Sequence, residues 1–176
     1  TLAHYETTGK EIVEQLPEKV SAFVSGVGTG GTLMGIGKRL KEWDKNIKIV
    51  ALEPDKMPLI SQNKIIGNHK IEGIGDDFVP DLLEKEALDK IILINDEDAI
   101  NLSRKLAKEL GLGVGISSGA NFLAGVKVMR EENAPIVTVF ADDNKKYLST
   151  DLLKPINPDQ NLLSNKVKLL RYEIID

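Results

Sequence analysis

The sequence predicts an α/β fold built on a mostly parallel sheet. Three observations predict it. Apolar runs of strand length alternate with helical stretches, a glycine loop joins the first clear strand to its helix, and a second glycine–serine turn opens a later helix.

The elements follow in order. "TTGKEIVEQL" (7–16) carries Thr8 and, three residues on, Glu11, the pattern of a capping box ahead of a short helix. "VSAFVSG" (20–26) is a short β-rich run ending in glycine, the signature of a buried strand. After the loop, "LMGIGKRLKEW" (33–43) predicts a helix that Gly35 and Gly37 weaken. "IKIVALE" (47–53) is the next strand, so residues 20–53 form a βαβ unit with a right-handed crossover. Residues 57–90, with "NKIIGNHKIEGIGDDFVP", are glycine-rich and irregular and predict a long loop with short elements, a place where function often sits.

"KIILI" (90–94) is a strand, and "NDEDAINLSRKLAKELG" (95–111) is the clearest helix. Asn95 is its natural N-cap, Ala99, Leu102, Leu106 and Leu110 form its apolar stripe, and Gly111 stands where a C′ glycine belongs. "GVGISSGANFLAGVKVMREEN" (113–133) is a turn running into a helix, and "PIVTVF" (135–140) is a strand followed by "ADDNKKYLSTDLL". The tail has two prolines and then "KVKLLRYEI" (166–174), which predicts an edge strand with its charges outward.

Composition bounds the function classes. The 176 residues suffice for one domain with a real core, and 41% hydrophobic with 28% charged residues is ordinary for a globular chain. A formal net charge of −4 argues against nucleic acid or an anionic membrane as the main partner. There is no cysteine, which excludes disulfides and thiolate metal sites and suits a reducing, cytoplasmic setting. No apolar run is long enough to span a bilayer, and "TLAHYETTGKEI" has no signal-peptide layout. It also lacks a starting methionine, so the chain reads as a cut piece.

"SGVGTGGT" (25–32) is the most informative stretch. A loop between a strand end and a helix N-terminus binds anions, because the first helical N–H groups lack partners and the helix dipole favours negative charge. Glycines let the backbone approach a ligand, and Thr29 and Thr32 add hydroxyls, so phosphate can be held without a cationic side chain. A Walker A loop fails: the Gly-Lys pair that follows this loop, Gly37-Lys38, is followed by Arg39. A dinucleotide fingerprint is matched literally by Gly26, Gly28 and Gly31, with Glu53 where an acid would meet a ribose. The phosphate of pyridoxal phosphate is a third reading. A glycine turn that merely packs helix on strand is the fourth.

Other polar residues say less. Asp142 and Asp143 look like a carboxylate pair, against which stands a solvated turn after a strand. His4 and His69 are far apart and lack metal-ligand spacing, so hydrogen-bonded or surface roles are expected.

The order of "ETTGKEI", "GVGTGGT", "GIG" (73–75), "GISSGAN" (115–121) and "KYLST" (146–150) resembles the cysteine synthase (O-acetylserine sulfhydrylase) family of fold-type II pyridoxal-phosphate enzymes. The resemblance runs through nearly the whole chain. It implies a three-layer, tryptophan synthase β-like fold with pyridoxal 5′-phosphate as cofactor. It implies that Gly28, Thr29, Gly30, Gly31 and Thr32 cradle the phosphate and that Ser117 meets the pyridine nitrogen. The competing role for Ser117 is a plain N-cap. A neutral serine there makes a shallower electron sink than a carboxylate would, which suits loss of a β-leaving group. The family has a polar loop at 142–144, where Asn144 replaces a common glycine and either residue tolerates the left-handed conformation.

The implied reaction replaces the acetoxy group of O-acetyl-L-serine with sulfide to give L-cysteine. A Schiff-base lysine in a "GSVKDR"-like context and a "TSGNTG"-like loop are both missing, so residues 1–176 are expected to be the C-terminal, larger-lobe part, with no catalytic residue of their own. The intact enzyme is expected to be a homodimer, with serine acetyltransferase as a further partner in some relatives. A sister β-replacement enzyme, cystathionine β-synthase-like or a cysteine/serine lyase, is the alternative within enzymes. A non-catalytic dinucleotide-binding module is the alternative outside them.

Overall fold

The computed structural model describes residues 1–16, 19–154 and 161–174. Two short helices, α1 (Leu2–Glu6) and α2 (Thr8–Gln15), precede β1 (Ala22–Gly26), α3 (Gly31–Trp43) and β2 (Lys48–Pro54). After α4 (Leu59–Gln62) come β3 (Lys90–Ile94), α5 (Asp96–Leu110), α6 (Ile116–Glu132), β4 (Ile136–Thr138) and α7 (Leu163–Lys166). The four strands form one parallel sheet in the order β3-β2-β1-β4.

Alternation along β1 explains the three layers. Ala22 and Val24 face a core shared with α5 and α6, through Leu102, Leu106, Ala120 and Leu123. Phe23, between them, faces a second core with Leu33, Ile36 and Leu40 of α3. Burial on both faces is why these strands read as continuous apolar runs. The predicted α/β fold and βαβ crossover are present.

Helix α5 carries the predicted caps. Asn95 Oδ1 accepts from the N–H groups of Glu97 (2.9 Å) and Asp98 (3.4 Å), and Gly111 ends the helix at φ 72°. The glycines of α3 also have a cause. A Cβ on Gly35 would lie 2.4 Å from the Thr1 carbonyl, so the missing side chain lets α1 dock on α3.

Three expectations are corrected. Thr8 is not an N-cap: α1 already occupies residues 2–6, and the cap position falls to Thr7, whose hydroxyl donates to Ala3 O at 2.8 Å. The strand expected over 135–140 stops at Thr138, because side chains take up the next ladder groups. The edge strand expected over 166–174 is absent. That segment follows α7, whose first N–H groups donate to Asp98 of α5 (Ser164 N at 2.7 Å, Leu163 N at 3.1 Å), while Lys105 Nζ donates to Val167 O. Residues 168–174 beyond these contacts are largely exposed, so water can satisfy their backbone groups without a sheet edge. The prolines of the tail lie outside the described residues. Among the described residues no helix is long and apolar enough to cross a membrane.

Candidate functional site

The strand order places one crevice. The chain steps from β1 to β2 to β3, then returns to the far side of β1 as β4, so the order reverses between β1 and β4. Ligands in open α/β sheets bind outside the C-terminal strand ends at such a reversal. Helix α3 leaves the end of β1 on one face of the sheet. Helix α6 covers the other face and runs antiparallel to the strands: Asn121 meets the end of β1, whereas Gly125 lies against Ile136 at the start of β4. Two helix N-termini therefore converge on the crevice from opposite faces.

The first of these is the glycine loop. Gly30 is the N-cap of α3 at φ 84°, a left-handed conformation that glycine adopts without strain. No side chain caps this helix, and its first intrahelical bond runs from Met34 N to Gly30 O at 2.9 Å. The Thr32 and Leu33 N–H groups therefore precede the helical ladder, and Thr29 Oγ1 reaches Gly31 N only at 3.4 Å. Two other glycines answer to the protein itself. A Cβ on Gly28 would lie 2.6 Å from the Gly73 carbonyl, and one on Gly26 would lie 2.7 Å from Ile74 Cγ2. The "GIG" segment packs directly on the loop and is tied to it by Gly75 N to Val27 O at 2.9 Å.

The second is the start of α6. Its N-cap is Gly115, so Ser117 sits inside the first turn and the N-cap reading for it is excluded. Ser117 is 7% exposed, and among the described residues no group hydrogen-bonds its hydroxyl. Ser118 Oγ beside it is buried without a partner. Asp142 underlies this turn: its carbonyl accepts from Gly115 N at 3.0 Å, and its Oδ2 accepts from the Tyr147 hydroxyl. Burial, reinforced by the Asp142 carboxylate, pushes the Tyr147 phenol well above its ordinary pKa, so Tyr147 is the fixed donor of that pair.

The remaining candidates resolve as follows. Glu53 is 2% exposed and accepts from Ile60 N (2.8 Å), Ser61 N (3.0 Å) and the Ser61 hydroxyl. Its carboxylate is committed to α4, which removes the acid a ribose would need. Asp142 and Asp143 do not act as a pair, since Asp143 turns away to accept from Lys145 N at 2.8 Å. Asn144 is not left-handed; it opens a 3₁₀ turn, Asn144–Tyr147. His4 bridges Thr8 Oγ1 (3.2 Å) and Thr32 Oγ1 (3.1 Å), and His69 binds Gly75 O at 2.7 Å. Among the described residues no group of acidic and histidine side chains could hold a metal ion.

Two residues at the crevice escaped the sequence reading. Asn121 Oδ1 accepts from Gly26 N (2.8 Å) and its Nδ2 donates to Val139 O (2.8 Å), while the Thr138 hydroxyl donates to Val24 O (2.8 Å). The available signal was an asparagine on the apolar face of α6, one turn after Ser117.

A doubly wound α/β domain with two uncapped helix starts at its switch point is a binding domain for an anionic ligand. The chain belongs to the pyridoxal-phosphate dependent enzyme family, which residues 1–142 match. It is 46% identical over 151 residues to cysteine synthase B of Campylobacter jejuni, covering 85% of this chain and 50% of that protein. It is 43% identical to cysteine synthase of Staphylococcus aureus, covering 85% and 49%. Among solved structures, a hydrogen sulfide-producing enzyme from Fusobacterium nucleatum superposes with TM-score 0.88 at 49% identity, covering 93% of this chain and 50% of that one. An O-acetylserine sulfhydrylase of Entamoeba histolytica superposes at 0.82 and 41% identity, covering 89% and 47%. The chain thus spans about half the length of the curated relatives it matches.

The crevice fits the family's cofactor. Unpaired helical N–H groups and two threonine hydroxyls suit a phosphate, and the buried Ser117 hydroxyl on the opposite face suits a ring nitrogen.

Proposed function

We propose that this chain is the C-terminal, larger-lobe part of a pyridoxal-phosphate-dependent enzyme that makes L-cysteine from O-acetyl-L-serine and sulfide. The observation that carries it is the convergence of the α3 and α6 N-termini on one switch point, in a chain 46% identical to a cysteine synthase. The backbone of Gly28, Thr29, Gly30, Gly31 and Thr32 holds the phosphate, and Ser117 holds the ring nitrogen without giving it a full proton. When bound, the cofactor's ring draws electrons from the substrate's α-carbon, the requirement for losing a β-substituent. The residues of this chain supply binding and orientation: the helix starts fix the phosphate, and the apolar layers beneath keep water from the strand ends. The Schiff-base lysine belongs to an N-terminal lobe outside residues 1–176, as does the loop that holds the substrate carboxylate. The intact enzyme works as a homodimer in the cytoplasm, and serine acetyltransferase is a partner to be tested by co-purification.

The test is a titration of the 176-residue chain with pyridoxal 5′-phosphate, followed by the ³¹P shift, beside NAD. Saturable binding of the first and none of the second supports the reading; NAD binding alone overturns it. A second reading, release of sulfide from cysteine, is favoured by the 49% identity to the Fusobacterium enzyme. In the intact enzyme the two separate by assay: consumption of sulfide with O-acetylserine against release of sulfide from cysteine.

A further inference from the structure

The β1–β4 ladder registers Ala22 with Ile136, Phe23 with Val137 and Val24 with Thr138, and then stops. The groups that would carry it onward are not left to water. Val24 O accepts from the Thr138 hydroxyl at 2.8 Å. Gly26 N donates to Asn121 Oδ1 and Val139 O accepts from Asn121 Nδ2, each at 2.8 Å. One carboxamide, presenting an acceptor to one strand and a donor to the other, stands where a peptide-to-peptide bond would otherwise close the gap.

Asn121 is 4% exposed, so both of its bonds are made in a dry setting where an unmade one is costly. Its reach is built into α6. Gly125, one turn further on, leaves room for the Ile136 side chain, whose Cδ1 lies 2.6 Å from where a Cβ would stand. The wedge also sits one turn, about 6 Å, from Ser117 on the same face of α6. It therefore joins three things: the strand end that leads into the glycine loop, the strand end that leads into Asp142, and the turn that carries Ser117.

We infer that Asn121 is a positioning residue: its carboxamide, aided by Thr138, splits β1 from β4 and sets the separation between the phosphate cradle at 28–32 and Ser117. This rests on the function proposed above. A shorter or one-sided residue at 121 would let the strand ends close or drift, and the two anchors of one rigid ligand would no longer match its length.

The experiment uses the 176-residue chain and two variants. In Asn121→Ala, amide hydrogen exchange at Gly26 is expected to rise at least tenfold, and affinity for pyridoxal 5′-phosphate to fall at least tenfold. Asn121→Asp loses the donor to Val139 O but regains it when its carboxyl is protonated. Its melting temperature should therefore approach wild type as pH falls from 8 to about 4, because a carboxyl whose folded pKa is raised gives full stability below the unfolded value, about 3.9, and loses it as pH rises through the folded value. Unchanged Gly26 exchange in Asn121→Ala, or a pH-independent deficit in Asn121→Asp, would overturn the wedge itself. Altered exchange with unchanged cofactor affinity would overturn its role in spacing the anchors. A wild-type chain that binds no cofactor would instead overturn the functional reading, and with it that spacing role, while the exchange result still decides the wedge.

Discussion

The Tyr147 hydroxyl donates to Asp142 Oδ2 directly beneath the first turn of α6. The fit is tight: a Cβ on Gly115 would meet Asp142 Oδ1 at 2.0 Å and Tyr147 Cε2 at 2.7 Å. Asp142 Oδ1 is buried without a partner among the described residues, and Oδ2 is held by the Tyr147 hydroxyl with Lys146 Nζ 3.9 Å away. Tyr147→Phe is expected to destabilise the chain by about 1.5–3 kcal/mol, the scale of a hydrogen bond to a charged group. Urea denaturation measures it, and a change under about 0.5 kcal/mol, the scale of an ordinary surface substitution, would refute the role.

Ser117→Ala should leave the fold intact, since Gly115 and not Ser117 stands at the cap. Under the proposed function it weakens binding of pyridoxal 5′-phosphate by about 2- to 13-fold, the equivalent of one neutral hydrogen bond. Ser117→Asp should shift the bound cofactor's absorbance toward the ring-protonated form. Wild-type affinity and spectra in both variants would remove Ser117 from the site.

The loop glycines separate strain from ligand approach. Gly30→Ala forces an L-residue to φ 84° and should cost about 1–2 kcal/mol with or without ligand. Gly31 has ordinary space beside it, its nearest neighbours to a Cβ being 3.5 Å away. Gly31→Ala should therefore melt close to wild type, and Gly31→Val should lose cofactor affinity chiefly by blocking the approach. A Gly31→Val chain that keeps wild-type affinity would show that the phosphate is held elsewhere.

Asp151 carries the clearest pH signature. Hydrogen bonds from the Lys154 ammonium (2.6 Å) and the Lys70 ammonium hold its carboxyl at about 2, below the ordinary 3.8. A depressed folded pKa means stability present above pH 3.8 and lost as pH falls toward 2. Asp151→Asn should therefore melt below wild type at neutral pH, with the gap closing between pH 4 and 2. A gap independent of pH across that window would mean that the ion pairs contribute nothing.

The isolated 176-residue chain should bind the cofactor without a stable covalent link. Its lysines are solvent-exposed or engaged in ion pairs and carbonyl contacts, for example Lys41 with Asp89 at 3.1 Å and Lys127 with Leu93 O at 2.9 Å. Amines so placed form imines poorly and without preference. Borohydride trapping and peptide mapping should find no single labelled lysine, and O-acetylserine with sulfide should not turn over. One stoichiometrically labelled lysine with turnover would overturn the assignment of that lysine to another lobe.

The sequence by itself determined the alternation of elements, because the strand cores and helix stripes are local apolar patterns. It determined the caps of α5, since Asn95 and Gly111 act within their own turn. It also presented the two glycine-rich turns from which α3 and α6 start. Only the tertiary structure decided what those turns face. Gly26 and Gly28 are small because Ile74 and the Gly73 carbonyl, some 45 residues on, press against them. Glu53, in the right place for a ribose by pattern, is consumed by α4. The tail docks on α5 instead of the sheet, Asp98 taking the first N–H groups of α7 and Lys105 donating to the Val167 carbonyl. Asn121 became visible only when α6 lay across β1 and β4. Each of these depends on contacts between residues distant in sequence, and hydrogen-bond partners brought together by folding leave no period or spacing in the chain to be read.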